Sequence, residues 1–405
     1  MGTSPVPHRV RLIIILGALS AFGPLSLDMY LPALPSLAQS FGASVSAAQI
    51  TLSACLVGLA LGQVLAGPLS DAVGRRRPLL VGVAAYALAS LLCVFAPSIG
   101  AFALLRLMQG VAGAAGIVIA RAIVRDLFAG VEAAKVFSLL MLVNGLAPIL
   151  APVFGGQLLR LTSWRGVFAT LAVVGVLLLL AALLLPETLA DEHRQSGGVG
   201  ATLRTFRTLL GDGGFMRYAL SCGLAFSSMF AYISGSSFVL QDLYGVSPQA
   251  FSMIFGANAL GLMVVGQVSG RLVGRVSPRR LLGAGLAGTA LGGVALLAVV
   301  LAGAGLWGIL PALFVVVASM GLVLPNATTL ALSGHPRMAG SASALIGVLQ
   351  YALGAAAAPF VGLGGGTSAL PMAAVMAALG CCALGVFALL GRAPAVGRAA
   401  ELSEG

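Results

Sequence analysis

Long apolar runs alternate with short polar gaps along this chain, and the alternation repeats twelve times. The runs lie at roughly Leu12–Ala38, Ala48–Leu69, Leu79–Pro97, Ala101–Val124, Val136–Leu159 and Gly166–Leu185, then at Phe215–Leu240, Phe251–Gly270, Leu281–Ala302, Trp307–Leu332, Met338–Leu363 and Leu370–Leu390. Each is about twenty residues or longer, enough for a helix to cross a hydrocarbon core ~30 Å thick. Apolar character on all sides, without period-two alternation, predicts helices and not a membrane barrel. The one long internal polar gap, Glu187–Gly214, begins ETLADEHRQSGGVG and reads as a linker. The pattern therefore predicts an all-α integral membrane protein: residues 1–186 a first six-helix bundle, 187–214 a linker, and 215–405 a second six-helix bundle with a short tail.

Composition strengthens this reading. The chain is 59% apolar and 8% charged, with mean hydropathy +1.07, against about 25% charged in soluble domains. A net charge of +11 would suit a nucleic-acid partner if the basic residues formed one face. They are instead dispersed between bilayer-length segments, so nucleic acid is excluded as a partner and the lipid bilayer is expected. His8, Arg9 and Arg11 before the first run resemble a signal peptide, but no clean cleavage site follows, so the run reads as an uncleaved first span.

The positions of Lys and Arg predict the orientation. With the N-terminus in the cytoplasm, inside segments hold Arg9 and Arg11; Arg75, Arg76 and Arg77; Arg121, Arg125 and Lys135; Arg194, Arg204, Arg207 and Arg217; Arg271, Arg275, Arg279 and Arg280; Arg337; and Arg392 and Arg398. That is nineteen of the twenty-two, with Arg160 and Arg165 outside and Arg106 intramembrane. Both termini are then cytoplasmic.

The halves also look alike. GQVLAGPLSDAVGRRRPLL from Gly62 is echoed by GQVSGRLVGRVSPRRLL from Gly266, and FGASVSAAQI from Phe41 by YGVSPQAFSMI from Tyr244. Near-constant offsets of 204 and 203, with equal helix counts, predict two parallel repeats about an axis normal to the membrane, which is a transporter architecture.

Two charges fall inside apolar runs, where an ion costs roughly 2.5–3.5 kcal/mol on the lenient insertion scale. Asp28, in LDMYLPALP, lies about 25 Å along the helix from Arg11, and Arg106, in RLMQGVAGA, about 22 Å from Arg121. Opposite helix directions place both at similar depth. For Asp28 the alternatives are a proton or substrate site and a cap on a helix end broken by Pro32. For Arg106 they are a packed, hydrated face shared with Gln109, Gly110 and Gly113, and a side chain snorkelling to the headgroups.

Between spans two and three, Gly67, Leu69, Asp71, Gly74, Arg75 and Arg76 match the signature G-x-L-x-D-x-x-G-R-[RK] of the major facilitator superfamily, which this chain resembles. The resemblance implies a conformational latch, with Asp71 facing a helix N-terminus of the other half and the Arg meeting Asp126. In the second copy Arg275 stands where Asp71 does. The Arg106 segment resembles the family's helix-four motif. Asn144–Gly156, NGLAPILAPVFGG, is similar to the helix-five antiporter motif through Gly145, Pro152, Gly155 and Gly156, with Pro148 as an addition; a kinked packing helix is the other reading of it. LDMYLP together with Glu187-Thr188 resembles the Bcr/CflA branch of drug:proton antiporters, which includes exporters of bicyclomycin and of phenicols.

Aromatic, Met and amide residues at Tyr30, Gln109, Asn144, Met229, Tyr232, Asn258 and Gln350, with Phe22, Phe226, Phe230 and Asn326, could line a promiscuous cavity or simply pack helices. Enzyme chemistry has no candidate: no HExxH, GxSxG or Cys–His cluster occurs, and the lone Lys135 follows Ala-Ala and not a phosphate loop. No cofactor and no metal is expected, the proton gradient being the energy source. The expectation is thus a multi-pass transporter of the bacterial inner membrane, acting as a monomer on protons and small molecules, with Asp28 and Arg106 coupling drug efflux to protons by alternating access. The alternative is a carrier of the same family for a metabolite such as a sugar, amino acid or organic acid.

Overall fold

The computed structural model describes residues 6–194, 198–335, 338–364 and 367–389. Both termini lie outside these residues, as do Arg337, Arg392 and Arg398. Among the described residues twelve helices are long and apolar enough to span a membrane. They are α1 (Val10–Ser40), α2 (Val45–Val73), α3 (Arg76–Val94), α4 (Ile99–Leu127), α5 (Lys135–Leu158), α6 (Trp164–Leu183), α7 (Gly213–Leu243), α8 (Pro248–Leu272), α9 (Pro278–Leu301), α10 (Gly305–Ser333), α11 (Ala339–Val361) and α12 (Leu370–Leu389). Each coincides with one expected apolar run. Several run longer, because polar caps and arginines extend helices beyond their apolar stretch.

Local sequence sets the helix starts. Ser44, Ser98, Ser247 and Ser277 each accept a hydrogen bond from the backbone N–H three residues on, satisfying one of the orphan donors at a helix N-terminus. Ser44 and Ser247 open α2 and α8, the same element of the two repeats. Gly74 and Gly274 end those helices with φ of 96° and 93°, a region in which only glycine sits without penalty.

Within the first half, α2 and α3 both pack on α4, and α3 also on α6; in the second, α9 packs on α10 and α12, and α7 on α10, α11 and α12. Between the halves, α2 meets α11 and α5 meets α8, the reciprocal contacts that two parallel repeats produce. At the α2–α4 crossing Gly58 and Gly110 lie against facing backbone with no room for a Cβ, as small residues permit in membranes.

Two features depart from plain spanning helices. α1 is broken: a helical segment Phe22–Asp28 gives way to a single 3-10 turn, Leu31–Ala33, before Leu34–Ser40. Pro32 and Pro35 cannot donate the backbone hydrogen bonds that would carry the helix through. The segment read as a linker contains a thirteen-residue helix, Gly198–Leu210. It is amphipathic: Phe206 and Leu209 are buried against α7, α10 and α11 with Val64 of α2 beside them, while Leu203 and Leu210 are exposed.

Candidate functional site: a central cavity and a charged turn

A cavity of about 400 Å³ lies between the halves. Its first-half wall carries Asp28, Gln63, Arg121, Asn144 and Pro148, and its second-half wall sets the rings of Phe226, Phe230, Tyr232, Phe255 and Tyr351 among aliphatic and neutral polar side chains. Arg121, Thr328 and Ser343 sit towards the arginine-rich ends of α4, α10 and α11, so the cavity extends to that side. There it leads into a vestibule lined by Asp71, Arg121, Arg125 and Ser341, with Thr202 of the linker helix on the rim. The opposite side is closed by four hydrogen bonds between the halves. Gln49 Nε2 donates to Ser234 O (3.2 Å), Ser53 Oγ to Ala355 O (3.0 Å), Ser237 Oγ to Leu31 O (2.8 Å) and Gln249 Nε2 to Gly156 O (2.9 Å). Among the described residues, the cavity therefore opens towards the arginine-rich side.

Asp28 ends the segment Phe22–Asp28 and is buried except where it faces the cavity. Among the described residues nothing donates a hydrogen bond to its carboxyl group and no cation pairs with it. Arg106 is not its partner. The Arg106 side chain is fully buried behind α1, where Nη2 donates to Ser26 O at 2.7 Å and Nη1 to Gln109 Oε1. The break in α1 explains this: Ser26 lies in the last turn of its segment, where carbonyls lack helical donors, and a cation is favoured at that end.

Aromatic rings complete the Arg106 pocket, with Tyr30 and Phe168 at 4.4 Å and 5.5 Å from the guanidinium carbon. Gln109 Nε2 passes the network to Ser90 Oγ (2.6 Å), and the Tyr86 and Ser26 hydroxyls are joined at 2.8 Å. Arg106 is thus neither snorkelling nor on the cavity wall.

The sequence-derived cavity set divides accordingly. Asn144, Met229, Tyr232 and Gln350 line the cavity, as do Phe226 and Phe230. Tyr30 and Gln109 do not, because they serve Arg106 behind α1. Asn258 stands one layer back, its Nδ2 donating to the Tyr232 hydroxyl at 2.9 Å. Asn326 bonds Ser269 and Leu322 O, and Phe22 stacks on Tyr86. In the helix-five motif, Pro148 faces the cavity. Gly145 lies beside Met263 of α8, Gly155 against the Met29 carbonyl and Gly156 against Ser252. These contacts bring α5 close to α1 and α8. Pro152 lies inside the helix.

The turn between α2 and α3 is a closed charge network. Arg75 Nε donates to Asp126 Oδ2 at 2.8 Å, and its Nη1 donates to Ser70 Oγ at 2.9 Å and to Asp71. Asp71 thus pairs within its own turn. It shares the vestibule with Gly340 and Ser341, at the start of α11. Gly67 precedes this network on α2, and Gly74 packs against Glu187.

Glu187, which the motif match did not assign to the turn, receives the backbone N–H of Arg75 (2.8 Å) and of Arg76 (3.1 Å), capping the start of α3. Arg76 in turn donates to the carbonyls of Leu185 and Leu183. Burial works against the Arg75 charge, but its bonds to Asp126 and Asp71 outweigh it and hold the group above its usual range. For Glu187 burial would raise the pKa. The backbone donors of Leu189, Arg75, Arg76 and Thr188 outweigh it and hold the carboxyl below its usual range.

A Major Facilitator Superfamily model matches residues 16–359. The chain is 43% identical over 372 residues to an uncharacterized MFS-type transporter, YdgK, of Bacillus subtilis (strain 168), covering 91% of this chain and 92% of that one. It is 34% identical to a bicyclomycin resistance protein homolog of Haemophilus influenzae, covering 85% and 86%. Among solved structures, a bacterial homolog of the human lysosomal transporter Spinster, in an inward-facing and occupied conformation, superposes with a TM-score of 0.74 at 16% identity, covering 96% of this chain and 98% of that one. A family model over most of the chain, and relatives at 43% and 34% identity along nearly their whole length, show that the chain belongs to the Major Facilitator Superfamily as a multi-pass membrane transporter, not an enzyme.

Proposed function

We propose that this transporter exports small hydrophobic or amphipathic drugs, phenicols or bicyclomycin-like compounds among them, in exchange for protons, through the bacterial inner membrane. The observation that carries the reading is Asp28: a carboxyl group in the wall of an aromatic cavity with no cation beside it. An unpaired carboxylate in an apolar span is costly, and taking up a proton removes that cost. A substrate entering between Asp28 and the Phe226, Phe230 and Tyr232 wall changes its solvation, which gives proton and substrate a means of competing. Arg106 acts at second hand, by fixing the Ser26 carbonyl and so the end of the segment that presents Asp28. The bicyclomycin resistance relative supports the substrate class. The helix-five glycines support the export direction, and the positive-inside pattern supports placing the arginine-rich side in the cytoplasm.

The test is proton flux in proteoliposomes across a panel of phenicols, cationic dyes and small metabolites. Drug-stimulated flux is expected in the wild type, and its loss, with drug binding retained, in Asp28→Asn. Intact coupled efflux in that variant would sink the proposal. Flux with a sugar, an amino acid or an organic acid alone would favour a metabolite carrier.

A further inference from the structure

The turn that holds Arg75 and Arg76 leaves the next arginine unused. Arg77 is exposed and, among the described residues, makes no hydrogen bond or ion pair. It stands at the arginine-side end of a trough of about 580 Å³ on the outer surface of the first half, away from the central cavity. The trough exists because α2 and α3 both pack closely on α4 and only lightly on each other. Gly62 lies against the Val111 backbone and Gly82 against Ala115, so the two helices splay from the Gly74 turn with α4 as a floor between them. Every lining side chain except Arg77 is apolar, including Leu65, Leu69, Val81, Ala85 and Met108.

Size and charge together select the occupant. From Arg77 to Ala85 the trough runs about 12 Å along α3 at 1.5 Å per residue, close to one leaflet's ~15 Å share of the hydrocarbon core. A dry slot of one-leaflet depth with a single free cation at headgroup level matches an acyl chain joined to an anion. We propose that the trough binds an anionic phospholipid from the leaflet on the arginine-rich side, with its phosphate on Arg77 and one acyl chain on the α4 floor. This differs from the general lipid annulus in needing both the cation and the empty slot.

The test uses the full chain purified in mild detergent, with added dioleoylphosphatidylglycerol or dioleoylphosphatidylcholine, and counts retained lipid by native mass spectrometry. The wild type is expected to retain one phosphatidylglycerol in preference to phosphatidylcholine. Arg77→Gln and Ala85→Trp, the second filling the slot, should each lower that retention about fivefold or more. Arg280→Gln, an exposed arginine of the corresponding second-half turn, should leave it unchanged. Both trough positions are exposed, and a monodisperse gel-filtration peak establishes that each variant is folded. Unchanged retention in either trough variant overturns the proposal, as does equal retention of the two lipids by the wild type or an equal loss in Arg280→Gln.

Discussion

The two halves share a helix plan but not a chemistry. An offset of 204 carries Asp28 onto Tyr232, Asp71 onto Arg275, Arg75 onto Arg279 and Asp126 onto Leu330. α4 holds Arg106, Arg121, Arg125 and Asp126, whereas α10, its counterpart, holds no charged residue. In the first half both buried arginines are surrounded by bonds, Arg106 by Ser26, Gln109 and rings and Arg75 by Ser70, Asp71 and Asp126, while Asp28 faces the cavity unpaired among the described residues. In the second half, Arg275, Arg279 and Arg280 are exposed, and the buried Arg217 donates to the Phe387 carbonyl near the end of α12, away from the cavity. Among the described residues the cavity wall there carries aromatic rings and no charged residue, with Tyr232 bonded to Asn258 and stacked on Phe255. The cavity's charged residues, Asp28 and Arg121, thus come from the first half, and the second half lines it with aromatic, aliphatic and neutral polar side chains.

On that division, the largest effect of a substitution should fall on Arg106. Arg106→Leu leaves the Ser26 carbonyl and the Gln109 amide oxygen buried without their donor, at about 1–3 kcal/mol each. Thermal unfolding in detergent should show a large loss of stability, and coupled transport should fail with it; a variant as stable as the wild type would break the comparison.

Next comes the turn. Arg75→Gln removes the Asp126 pair and is expected to cost about 2–3 kcal/mol, while Arg279→Gln at the equivalent exposed position should stay within about 0.5 kcal/mol. The same network has a pH signature. Because Glu187 is held below its ordinary range, its contribution is fully present above the ordinary carboxylate value and is lost as pH falls through the depressed one. Acid should therefore narrow the stability gap between wild type and Glu187→Gln, and a gap that does not change with pH would count against the cap.

The smallest effect belongs to the second half. Tyr232→Phe removes one neutral hydrogen bond, worth about 1 kcal/mol. It should weaken drug binding severalfold in an equilibrium titration without changing proton flux, and loss of flux would mean that the second half shares the ionisable role.

The sequence pattern made the frame legible and the contacts within it far less so. Twelve spans could be read because bilayer solvent demands apolar runs of one length, whatever their partners. Depth could be read too, since helix rise is fixed. Rotation about the helix axis could not, and it is rotation that turns Arg106 to the back of α1 while Asp28 faces the cavity. Glu187 escaped because its partners Arg75 and Arg76 lie 112 and 111 residues away, and nothing in the local string Pro-Glu-Thr-Leu reports them. The linker helix escaped because, among its described residues, only Phe206 and Leu209 are buried, a pair set among glycines and arginines.

The four bonds that close the arginine-poor side have one property in common: each runs from a neutral side chain to a main-chain carbonyl. A net worth of about 0.5–1.5 kcal/mol for each sums to a few kcal/mol, while turning a 1:99 equilibrium into 99:1 takes about 5.5. Water can replace every one of these donors when the halves part. No ion is stranded by the opening, and the rate at which the gate swings is left to the packing of α5 on α8 and of α2 on α11. A gate sealed this way can part at a cost of a few kcal/mol, about what one pairing or unpairing of a buried charge supplies.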